Sequence, residues 1–137
     1  MAAFAHFACL LEVGADHVEA ALSLRRQMAE ELERDDGLAI GFGASPFIGQ
    51  PSALLLFDGD GGQPEHVAAF ALRCAERFSL TGLWGFCWAF TWPKPRLDAF
   101  GGGAAALDLG ERKILAWLDC SQWLGGKLQA RPPSVTR

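Results

Sequence analysis

The chain contains no tyrosine, only three histidines (His6, His17 and His66) and only four cysteines (Cys9, Cys74, Cys87 and Cys120). The missing tyrosine removes one common acid–base side chain. The histidines are too few and too poorly spaced to signal a metal site. The cysteines stand singly, with no C-x-x-C pair, so no zinc site is signalled either. Each lies in an apolar stretch, where a reduced core thiol belongs. Free thiols fit the cytosol, and a cytoplasmic location is expected. Bases are scarce too: twelve against sixteen acids, a net charge of −4. That is not the cationic footprint of a nucleic-acid binder and points away from one. No apolar run is long enough to span a bilayer, and residues 1–11 do not make a secretory h-region with a cleavage site. No membrane association is expected. The G-x-G-x-x-G and Walker patterns are absent, and no cofactor is expected.

Apolar residues, by contrast, make up 50% of the 137 positions. A chain of this length suits one domain that buries roughly two-thirds of its unfolded surface. Residues 1–124 read as that domain. Residues 125–137 contain Gly, Pro and bases but no acid, and read as a flexible tail.

Residues 4–13 read as a buried strand ending at Gly14. Asp16 and Glu19 have capping-box spacing, and the helix they open should run to about Arg34. Its apolar stripe is Val18, Ala21, Leu22, Met28, Ala29 and Leu32. Gly37 suits the left-handed position that ends such a helix. Residues 38–44 alternate large and small, as a strand does. Residues 53–57 form a third, nearly all-apolar strand. Pro64 and Glu65 open a second helix, 64–78. Residues 83–92 make a fourth strand, 93–103 a loop, and 104–109 with 113–119 a hairpin around Gly110-Glu111. Trp123 and Leu124 suggest a closing helical turn. The order predicts an α+β fold: a ferredoxin-like βαββαβ unit followed by a C-terminal β-hairpin, with two helices on one face of an antiparallel sheet. Asp16-His17-Val18-Glu19-Ala20 and Glu65-His66-Val67-Ala68-Ala69 open the two helices with the same acid-His-Val-x-Ala string, a weak internal repeat.

The strand 83–92 carries the sharpest pattern. One face holds Trp84, Phe86, Trp88, Phe90 and Trp92; the other holds Leu83, Gly85, Cys87, Ala89 and Thr91. The small face is expected to receive the helices, because small side chains allow close approach. The aromatic face would then lie open. Three uses compete for it: a second small core under the chain's own loop, a dimer or partner interface, or a stacking platform for bases. A stacking platform usually interleaves Lys or Arg, and this strand has neither.

Beside it, the loop 93–103 holds Lys94, Arg96, Asp98 and Phe100. Arg96 could reach a carboxylate or phosphate or stack on a Trp; the plainer use is an Arg96–Asp98 pair that orders the loop. Gly101-Gly102-Gly103 reads as a bulged strand entry rather than an anion cradle, since no helix start follows. Asp58-Gly59-Asp60-Gly61-Gly62 starts like a calcium loop but lacks its later acids, and reads as a turn. No local sequence supports a Cys–His nucleophilic pair.

Gly82–Ala89 (G-L-W-G-F-x-W-A), 95–103 (P-R-L-D-A-F-G-G-G), Asp108-Leu109 and Trp123-Leu124 together resemble a group of small bacterial proteins without assigned activity. The resemblance spans about the C-terminal third of the chain and implies a bacterial source. By size and acidity, inhibitors of bacterial defence systems and toxin-immunity proteins are an analogous class. The expected function is non-enzymatic protein binding, to a partner or a second copy as a homodimer. Its candidate binding residues are Trp84, Trp88, Trp92, Arg96, Asp98 and Phe100. The alternative is a small-molecule binder or enzyme with an aromatic pocket gated by the loop 93–103.

Overall fold

The computed structural model describes residues 4–59, 63–91 and 101–130. Its elements are β1 (Phe4–His6), β2 (Ala8–Glu12), a 3-10 turn (Ala15–His17), α1 (Val18–Asp36), β3 (Phe42–Pro46), β4 (Ala53–Asp58), α2 (Pro64–Phe78), β5 (Leu83–Thr91), β6 (Gly101–Asp108), β7 (Lys113–Asp119) and α3 (Cys120–Ala130). The fold is mixed α+β, and every strand pairing among the described residues is antiparallel.

The single ferredoxin-like sheet expected from the element order is not what forms. There are two sheets, one of four strands in the order β1-β5-β6-β7 and one of three in the order β2-β4-β3. The division falls inside the first predicted strand, which breaks at Phe7. β1 joins β5, and β2 joins β4. The break is built by Asp58 at the end of β4. Its carboxylate accepts from the Phe7 N–H at 3.1 Å, and its own N–H donates to the Phe7 carbonyl at 3.2 Å. Phe7 thus stands opposite Asp58, one step beyond the Ala8–Phe57 pair of β2 and β4, and its N–H turns to the side-chain carboxylate instead of a backbone carbonyl.

Local chemistry explains most element ends. Gly37 sits at φ 66° and closes α1 with paired bonds from Gly37 and Leu38 to the Glu33 and Leu32 carbonyls, the reciprocal C-terminal motif that a left-handed glycine permits. The expected Asp16 cap is absent; α1 has no side-chain cap and is entered through the 3-10 turn. The acid-His-Val repeat has a structural role. His17 Nδ1 donates to the Val13 carbonyl at 2.8 Å and His66 Nδ1 to the Ile40 carbonyl at 2.5 Å. Each histidine ties the start of its helix to backbone just outside a strand. Residues 38–41 do not join the sheet as expected, and β3 begins at Phe42. Beyond β7, a helix replaces the predicted helical turn and runs through Gly125 and Gly126 to Ala130.

One apolar core serves both sheets. Phe42, Leu54 and Leu56 enter it from the three-stranded sheet, Phe86, Trp88 and Leu107 from the other, and Phe70 with Cys74 from α2. α1 lies by β3, where Arg25 Nε donates to the Phe42 carbonyl at 3.0 Å. α2 is bound to the β6–β7 turn through Arg112, which meets Glu76 at 3.3 Å and the Leu80 carbonyl at 3.0 Å.

Candidate functional site

The aromatic strand faces the opposite way from the expectation. Phe86 and Trp88 are each only 7% exposed and belong to the core, and Trp84 and Phe90 pack partly buried against it. Leu83, Gly85, Cys87 and Ala89 face outward. The rings form a continuous row: Trp84 to Phe86 at 5.4 Å, Phe86 to Trp88 at 5.3 Å, and Trp88 to Trp117 of β7 at 4.9 Å between centroids. The reason is volume. Opposite Phe86, Trp88 and Phe90 on β6 stand Ala105, Gly103 and Gly101. The buried face of α2 is itself rich in small residues, with Ala68, Ala71 and Ala75. Large side chains on one element are balanced by small ones on its neighbours, as close packing requires. The balance is struck between elements, not across the two faces of one strand.

Among the predicted binding residues, Trp88 is therefore a core side chain and Trp84 packs partly buried against the core. Trp92, Arg96, Asp98 and Phe100 lie outside the described residues, as does most of their loop. Trp84 and Trp88 differ in one respect. Trp84 Nε1 donates to the Leu10 carbonyl of β2 at 2.8 Å, across the gap between the sheets. Trp88 Nε1 is buried with no acceptor. A lost partner leaves a part-buried carbonyl unpaired, whereas losing an orphan donor removes a standing penalty. Trp84→Phe is expected to cost about 1–2 kcal/mol more than Trp88→Phe, measured by urea unfolding of both variants. Equal costs would show that the Trp84–Leu10 bond contributes nothing.

The thiols offer no activated nucleophile in the interior. Burial pushes Cys9 up to about 12, helped by the nearby Cys87 sulfur, and burial alone pushes Cys74 up to about 12. A thiol in that range is protonated and inert at neutral pH. All four cysteines are free, with Cys87 and Cys120 at the surface. Among the described residues no cluster of His, Cys, Asp and Glu could hold a metal ion.

The densest group of exposed large apolar side chains among the described residues lies elsewhere, on β7 and α3. β7 is the outer strand of the four-stranded sheet, and every side chain from Lys113 to Leu118 is exposed. Ile114, Leu115, Trp117 and Leu118 are each 38–48% open, and in α3 Trp123, Leu124 and Leu128 are 51–65% open. Edge strands usually carry charge or proline to prevent pairing; between Lys113 and Asp119 this one carries none, its blunting device being an irregularity of register beside Ala106 and Leu107. On the helical side of the sheet, Ile114 and Trp117 form with Glu65 and Ala68 of α2 a groove of about 310 Å³. The sequence held a signal for this surface. Residues 114–118 are apolar at consecutive positions, without the alternation of a half-buried strand, and the last strand of a meander ends at an edge.

The chain matches no family model, no curated protein and no solved structure. Its functional reading rests on its own surface.

Proposed function

We propose that this chain is a non-enzymatic protein-binding domain that docks through β7 and α3 rather than through the aromatic face of β5. The observation that carries it is the run of large apolar side chains left open on two consecutive elements. Exposed apolar surface of this kind, rich in Trp and Leu, marks protein interaction sites. A small acidic domain that acts by covering a partner, as inhibitors and immunity proteins do, suits such a surface. The aromatic row contributes indirectly: Trp88 supports the ring of Trp117 from behind.

The paired substitution Leu115→Glu with Leu118→Glu tests it. Both side chains are nearly half exposed, so folding should be kept, with unchanged circular dichroism and a melting temperature within a few degrees. Association in light scattering, to self or to an added partner, and binding of an apolar dye should both fall sharply. A wild-type protein that neither associates nor binds dye would sink the proposal.

A further inference from the structure

The docking surface has two parts of complementary chemistry, and no residue of α3 lines the groove of its own chain. One is the groove of about 310 Å³ between α2 and β7, apolar at Ala68, Ile114 and Trp117, with Glu65 as the one charged residue lining it. The other is α3. Trp123, Leu124, Lys127 and Leu128 follow the i, i+4 spacing and share one side of the helix. Its three apolar members are each at least half exposed, and Lys127 is the one charged residue in Cys120–Ala130. An apolar helix side with a single cation thus faces the description of an apolar groove with a single anion.

The chain's own α3 does not occupy its own groove. α3 begins at Cys120, directly after β7 ends at Asp119, with no linking residue. Asp119 fixes its departure by accepting from the Gln122 N–H at 2.9 Å. Ile114 lies toward the far end of β7. The helix leaves from the opposite end with Leu128 65% exposed.

Resting on the docking surface proposed above, we propose that the occupant is a second copy of this chain. Two copies exchange α3 helices reciprocally, each laying Leu124 and Leu128 into the partner's groove and placing Lys127 against Glu65. The exchange is self-complementary, so it closes as a two-fold dimer and goes no further. A helix laid in an apolar groove is a recurrent mode of recognition.

The test is charge reversal, read by sedimentation equilibrium. Lys127→Glu alone sets Glu against Glu at both sites of the dimer; Glu65→Lys alone sets Lys against Lys. Each should weaken the dimer about ten-fold, the scale of two exposed ion pairs lost together. Mixing the two single variants in equal amounts restores opposite charges at both sites, so a heterodimer of wild-type affinity should form. Leu124→Asp with Leu128→Asp should abolish the dimer, with β-sheet circular dichroism retained. A dimer that these changes leave intact, but that Leu115→Glu with Leu118→Glu breaks, would overturn helix exchange in favour of edge-to-edge strand pairing. A chain monomeric at every concentration would overturn the dimer while leaving β7 and α3 as a surface for a foreign protein. A dimer insensitive to all of these changes would overturn both the exchange and the docking surface.

Discussion

Phe70→Ala is expected to cost about 3–5 kcal/mol, enough to leave much of the protein unfolded if its total stability is at the low end of the usual 5–15 kcal/mol. Phe70 is fully buried, on the face of α2 that enters the core. Its ring lies 5.5 Å from that of Phe42 in the three-stranded sheet. Phe86 and Trp88 bring the four-stranded sheet into the same cluster. Removing this ring opens a void where helix and sheets converge, and rigid strands cannot collapse fully to fill it. Urea unfolding should show a lower midpoint with an unchanged slope, since the folded and unfolded states keep their surfaces. Phe70→Leu, which retains most of the volume, should cost under about 1.5 kcal/mol. A Phe70→Ala cost below about 1 kcal/mol would mean that the site is not packed as described.

The second large effect concerns glycine. Gly103→Ala is expected to destabilise by about 3 kcal/mol. A methyl group there would run into the Leu118 carbonyl of β7 and come within 2.6 Å of the Trp88 ring. The backbone oxygen is held in the sheet, and the Trp88 ring sits between Phe86 and Trp117, so neither can withdraw easily. The same chemical change at Gly126 should have the opposite sign. Nothing lies within 4 Å of a methyl group at that position, and alanine in a helix interior gains about 0.5–1 kcal/mol over glycine. The pair of variants, measured by thermal unfolding, separates steric crowding from backbone freedom. Equal effects at the two positions would refute the close approach of β6 to Trp88.

Legibility followed the range of the interaction. α2 was readable because its signals are local, with Pro64 and Glu65 at the start. The Gly37 terminus was readable for the same reason. The break at Phe7 was not, because it is made by Asp58, 51 positions away. Residues 4–12 look like one apolar strand until that partner is known. The direction of the aromatic face is set by Ala105, Gly103 and Gly101 on another strand. A rule about one strand's two faces could not see them. The exposed apolar run on β7 carries a weaker pattern than the aromatic row on β5. A dense row of rings on a strand flanked by other strands is core, and the weaker run at 114–118 sits on an edge, where no described strand covers it.

The first strand has a further consequence, for synthesis on the ribosome. Phe4 pairs with Thr91, and Cys9 with Leu56. The segment that holds both sheets together is made well before the strand that β1 pairs with. Between the emergence of β1 and that of β5 the chain lengthens by about 85 residues, which at roughly 5–20 residues per second takes about 4–17 s. For that interval β1 waits without the strand it pairs with. Under mechanical load the order inverts. A pull on the N-terminus would draw β1 from one sheet before β2 from the other, with the Asp58 bonds to Phe7 standing between the two events.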